Sequence, residues 1–125
     1  MQTNVTMTDV EDLASLITVN PESTVSRTVL RAEGARIVLF SFDAGQELTE
    51  HTAAMPVLLH VLDGHLQVTA AGRTVELVPG GVIHLGTRCP HAILAKEPTR
   101  LVLTMLDARS VAQSDAAYVD IKPQS

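Results

Sequence analysis

Apolar residues in this chain come in short runs, at 25–31, 36–42, 57–62, 66–70, 74–78, 82–85, 91–95 and 101–106. Between them stand Glu33-Gly34, Asp43-Ala44-Gly45, Asp63-Gly64, Ala71-Gly72, Pro79-Gly80-Gly81 and Glu97-Pro98, residues that suit tight turns. Runs this short, punctuated this regularly, predict strands, and many strands with little helix between them predict an all-β antiparallel sandwich or barrel. One helical signal precedes them. Thr8 can cap a short helix, with Asp9, Glu11 and Asp12 near its positive end and Val10, Leu13, Leu16 and Ile17 on its apolar side, until Asn20-Pro21 breaks it. The expected organisation is an N-terminal helix and lead-in over 1–24, a barrel over 25–106, and a C-terminal tail or edge strand over 107–125. In that last part Ala117-Tyr118-Val119-Asp120-Ile121 is the one apolar piece.

Composition narrows the picture. A chain of 125 residues forms one domain with room for a true core. Hydrophobic residues make up 46%, yet there is no Trp, one Tyr and two Phe, so the core must be built from Val, Leu, Ile and Ala. Branched aliphatic side chains of this kind favour sheets. A net charge of −5 excludes the basic surface that nucleic acids and anionic membranes require, and no apolar run reaches the length of a membrane span. The opening MQTNVTMTDVEDL is acidic and lacks the basic-then-apolar order of a secretory signal. With a single cysteine, Cys89, an internal disulfide is excluded, and the two observations together predict a cytoplasmic protein.

The candidate chemistry lies in the histidines. His51 and His91 each follow a turn, whereas His60 sits inside Val57-Leu58-Leu59-His60-Val61-Leu62 and His84 inside the apolar run at 82–85. An imidazole in an apolar strand needs a partner or a function. His65, directly after Asp63-Gly64, suits a solvated strand start. Cys89 reads as a partly buried structural thiol, because no activating base can be named beside it. Gln46, Glu47 and Glu50 surround the approach to His51, where a carboxylate could complete a metal shell or simply be solvated.

The spacing of Gly45, His51 and Gly64, and of Gly80 and His91, resembles the two glycine-bounded motifs of cupins. In those, Gly, five residues, His-x-His, three or four residues, Glu, six residues and Gly form the first motif. Gly, five residues, Pro-x-Gly, two residues, His, three residues and Asn form the second. The resemblance runs from about Val25 to Leu106 and implies a jelly-roll β-barrel, a pocket at one barrel end, and pairing of barrels into a homodimer. It also implies metal ligands, but here Ala53 stands for the second histidine, Val57 for the glutamate, Gly86 for the proline, Arg88 for the glycine and Ala95 for the asparagine.

Of the family's four ligands His51 and His91 remain, and two imidazoles are fewer than the three protein ligands usual for catalytic zinc. A tight site for zinc, nickel, copper or iron therefore requires more donors, with His60 and His84 first in line. Strand alternation bears on them: if Val57, Leu59 and Val61 face inward, His60 faces outward with Leu58 and Leu62 unless a bulge shifts the phase. The resemblance implies that 57–62 and 82–85 are neighbours, so His60 and His84 form either a cross-strand pair of ligands or a satisfied pair at an apolar interface. The functional expectation is a histidine-bearing pocket that binds a divalent transition metal, with metal-dependent small-molecule chemistry of the dioxygenase or isomerase kind. The alternatives are a metal-free small-molecule binding or sensor module and a structural homodimeric domain.

Overall fold

In a computed structural model, residues 5–107 of the chain are described. Among these residues nine strands form two antiparallel sheets: β1 (Thr24–Ala32), β2 (Ala35–Phe42), β3 (Glu47–His51), β4 (Val57–Asp63), β5 (Leu66–Ala70), β6 (Arg73–Leu77), β7 (Ile83–Leu85), β8 (His91–Ala95) and β9 (Thr99–Leu106). The larger sheet has the order β1-β2-β9-β4-β7 and the smaller β3-β8-β5-β6. This is the expected all-β jelly roll. The C-terminal piece around Tyr118 lies outside the described residues.

Strand β4 shows how the sequence selects the faces. Val57, Leu59 and Val61 are buried, while Leu58, His60 and Leu62 between them are only half-buried. The buried set joins Phe42, Leu66, Leu77, Leu101 and their neighbours in a core between the two sheets. The outer face of the larger sheet carries a smaller cluster, in which Leu39 and Val102 meet Ile17 from the N-terminal segment, with Leu13, Leu16 and Leu62 packed around them.

Two expectations are corrected. The N-terminal helix is a single 3-10 turn, Leu13–Leu16, capped by Asp12 rather than Thr8, with Asp12 Oδ1 accepting from the Ala14 amide at 3.1 Å. One turn is enough to bring Leu13, Leu16 and Ile17 onto Leu39 and Val102, and so short an element forms through packing rather than its own propensity. Arg100 anchors it: its guanidinium donates to the carbonyls of Ala14 (2.6 Å) and Ile17 (3.4 Å) while pairing with Asp63. That hydrogen bond holds the Asp63 carboxyl below its ordinary value. The second correction is β3, whose sequence Glu-Leu-Thr-Glu-His has one apolar residue and so carries no strand signal. It is an edge strand with Leu48 packed on the core and the remainder exposed.

Candidate functional site

Register brings the functional side chains together at one end of the barrel. Across the smaller sheet runs a row of cross-strand partners, His51 opposite His91, His91 opposite Ala70, and Ala70 opposite Arg73. Across the larger sheet runs another, Arg31 opposite Arg36, Arg36 opposite Met105, Met105 opposite Val57, and Val57 opposite Leu85. Direct cross-strand neighbours share a face, and Val57, Leu85 and His91 are all buried, so both rows look into the barrel mouth.

His51 reaches this face through an irregularity. Leu48 pairs with Ile93 and His51 with His91, so three steps along β3 match two along β8. A regular strand would turn a residue three positions from Leu48 to the opposite side; the bulge restores the phase and aims His51 at the mouth. The two rings lie 4.2 Å apart, centroid to centroid, tilted by 55°. His91 is buried and His51 sits exposed at the rim.

Each ring is also oriented. His51 Nδ1 lies 2.9 Å from the carbonyl oxygen of Thr49, and His91 Nδ1 lies 2.9 Å from that of Cys89. A carbonyl only accepts, so both Nδ1 atoms donate, and in the neutral ring the lone pair falls on Nε2. This is the tautomer a histidine uses to bind a metal or to accept a proton from a ligand.

The donor set stops there. Val57, in the position of the cupin glutamate, is 1% exposed and part of the core, and Ala53 packs against that core. Among the described residues no group of three His, Cys, Asp or Glu side chains could hold a metal ion. His60 and His84 lie elsewhere. His60 stands opposite Val102, whose side chain belongs to the outer cluster, and His84 stands opposite Leu58. The two histidines therefore share the outer face of the larger sheet, two residues out of register from being direct partners, on the side away from the face that carries His51 and His91.

The remaining candidates find quieter places. His65 Nε2 lies 2.6 Å from Glu76, which also accepts from Gln67, and these two partners, Gln67 first, hold the Glu76 carboxyl below its ordinary value. Cys89 packs at the edge of the core. Glu47 and Glu50 are exposed, and Gln46 meets Thr24. Arg88 adopts a left-handed backbone, φ 58°, where the cupin pattern has glycine. Its amide donates to the Ala53 carbonyl at 2.9 Å and so ties the two motif loops together.

Sequence reasoning overlooked the arginines. A cavity of about 360 Å³ is lined by Arg31, Arg36, Met55, Met105, Leu106 and Asp107, among others. Another of about 280 Å³ opens between β5, β6 and β7, beside Ala70, Arg73, Ile83 and Cys89, and His84 borders it. The signal for the first was present, because a two-residue turn at Glu33-Gly34 puts 32 opposite 35 and 31 opposite 36.

Comparison with known proteins agrees with this architecture. A cupin superfamily protein from Desulfitobacterium hafniense matches at 26% identity with a TM-score of 0.70, over 83% of this chain and 95% of that one. The chain is a small cupin-fold domain. This cupin also resembles a putative mannose-6-phosphate isomerase from Ralstonia eutropha, with 17% identity, TM-score 0.69 and coverage of 80% and 99%. Salicylate 1,2-dioxygenase from Pseudoaminobacter salicylatoxidans shares 18% identity and a TM-score of 0.64, and there the match spans 78% of the cupin and 28% of the enzyme. At such identities these two likenesses concern the fold alone. No family model matches the chain. No curated protein matches it either. No described helix of the cupin is long and apolar enough to cross a membrane.

Proposed function

We propose that this cupin binds a small, partly apolar molecule at the barrel mouth, with His51 and His91 reading its polar end directly. The observation that carries the reading is the pair itself: two adjacent rings, each with Nδ1 tied to a main-chain carbonyl and Nε2 left for a ligand. Ala70 stands directly opposite His91, and with Leu85 it lines the cavity between β5, β6 and β7, an apolar lining of the kind small-molecule pockets use. The donor chemistry does not fit a resident divalent metal held by the protein alone, since the positions that supply the third and fourth ligands in cupins are Val57 and Ala53. No catalytic step is assigned to the site.

A second reading has one observation in its favour. The free Nε2 atoms suit a metal that arrives already chelated by its ligand, with the protein contributing two of several donors. Titration calorimetry separates the two. The first reading expects zinc and nickel to bind the protein weakly and without fixed stoichiometry. One tight equivalent of either metal, lost in both His51→Ala and His91→Ala, would overturn it.

Homodimerisation belongs to the same proposal. The outer face of the larger sheet presents Leu58, His60 and His84 beside an exposed Val82, and a second copy would cover them. A single monomeric species in light scattering at micromolar concentration would remove this part of the reading.

A further inference from the structure

The barrel mouth holds a second chemistry that the histidine pair does not use. Arg31 and Arg36 face each other directly at the end of the β1–β2 hairpin, and both line the 360 Å³ cavity. Like charges at opposed positions repel, and neither arginine forms an ion pair among the described residues. Arg36 spends Nη2 on the Sδ of Met105, at 3.0 Å, although a thioether is a weak acceptor. Its Nε is buried and has no hydrogen-bond partner among the described residues. Buried donors are nearly always satisfied in folded proteins, so a guanidinium held in this way calls for an acceptor beyond the described residues.

The rest of the lining identifies that acceptor. Met55, Met105 and Leu106 give the cavity an apolar side, and Asp107 adds one carboxylate against the two guanidinium groups. The two guanidinium groups favour an anion, and a planar carboxylate beside an apolar side matches the guanidinium fork. We propose that this cavity binds the carboxylate of a small molecule with an apolar body, Arg36 and Arg31 holding the anionic end. The inference deepens the reading of the mouth as a small-molecule site and rests on it only for the location of the ligand.

Titration calorimetry on the full chain with benzoate, benzamide and inorganic phosphate tests it. Benzoate is expected to bind at least about tenfold more tightly than its neutral amide, and to lose about tenfold or more in Arg36→Met. Methionine keeps the length of the side chain beside Met105, and a thermal melt reports whether the variant folds. Should it not fold, the ratio of benzoate to benzamide on the wild-type protein decides alone. Equal affinity for acid and amide, or no benzoate binding at about 10 mM, overturns the proposal. Tighter binding of phosphate than of benzoate overturns the carboxylate assignment. His51→Ala and His91→Ala distinguish the two readings. If benzoate affinity survives in both but falls in Arg36→Met, the arginine site stands and direct reading by the histidines fails. If it falls in the histidine variants and survives in Arg36→Met, the histidine reading stands and the arginine site fails.

Discussion

Gly64→Ala should be among the most damaging single substitutions in this domain. Gly64 closes the first glycine-bounded motif with φ +100°, a backbone that L side chains rarely adopt. A Cβ there would lie 2.2 Å from Thr99 Oγ1, 2.5 Å from the Pro98 carbonyl oxygen and 2.6 Å from Thr99 Cα. Two of these atoms belong to main chain and cannot rotate away. The third is committed: Thr99 Oγ1 accepts from the His65 amide at 2.9 Å and donates to the Glu97 carbonyl at 2.7 Å, in a residue with no exposed surface. The left-handed backbone costs about 1–2 kcal/mol. Forcing the two segments apart costs about 1–3 kcal/mol. Leaving the buried hydrogen bonds of Thr99 unmade costs about 1–3 kcal/mol more. A loss of roughly 3–8 kcal/mol would take much of the total stability of a domain this size.

Gly72→Ala is the control, since Gly72 has φ +73° but nothing within 4 Å of a new Cβ. It should lose only the backbone contribution, about 1–2 kcal/mol. Urea unfolding of both variants isolates the steric part as the difference between them. Equal losses at the two positions would refute the argument that Thr99 and Pro98 press on Gly64.

Arg100→Met should cost about 1–3 kcal/mol and expose the amides around Leu13–Leu16 to hydrogen exchange, because Arg100 ties Asp63 to the Ala14 and Ile17 carbonyls. Because Arg100 depresses the Asp63 pKa, the stability from this pair is present above the ordinary carboxyl value and is lost as pH falls through the lower folded one. Asp63→Asn should therefore flatten the acid limb of the urea midpoint below about pH 4, an unchanged limb counting against the pairing. Val57→Glu puts a carboxylate back at the cupin ligand position, in a residue that is 1% exposed, and should cost roughly 3–5 kcal/mol in the absence of metal. Combined with Ala53→His, it should recover stability in nickel or zinc, read as a metal-dependent rise in melting temperature. Arg88→Gly relieves a left-handed residue at φ 58° and should be neutral or stabilising by up to about 1 kcal/mol in the same assay.

Much of the fold was legible because each buried strand announces itself by period. Val57, Leu59 and Val61 alternate with Leu58, His60 and Leu62, and the turns between strands are spelled in Gly, Pro and Asp. The strand that escaped, β3, is an edge element whose pairing is carried by its main chain, so Glu47, Thr49 and Glu50 are free to look like a loop. The N-terminal segment misled in the opposite way: the spacing of Leu13, Leu16 and Ile17 is helical, but a single turn meets it when Leu39 and Val102 supply the surface. At the candidate site, motif spacing singled out His51 and His91. It could not tell how far His84 sits from His60, because register depends on pairing partners that are distant in sequence. The arginines were hidden differently, since nothing in their own neighbourhood distinguishes Arg31 and Arg36 from solvated charges until the hairpin sets them face to face.

The bulge in β3 performs two tasks that need not go together. It turns His51 toward the mouth, and by bending the strand it brings the Thr49 carbonyl back under the same ring. The segment between Leu48 and His51 is, in effect, one residue out of step with its partner strand. Removing either Thr49 or Glu50 would bring the count into step, and a plain ladder would then deliver the imidazole to the same side unaided. What the shortened strand would lose is the internal acceptor that pins Nδ1–H, leaving the ring free to exchange tautomers. Aim and proton placement could thus be separated by a single deletion, and for this histidine the length of the approach matters more than which residues fill it.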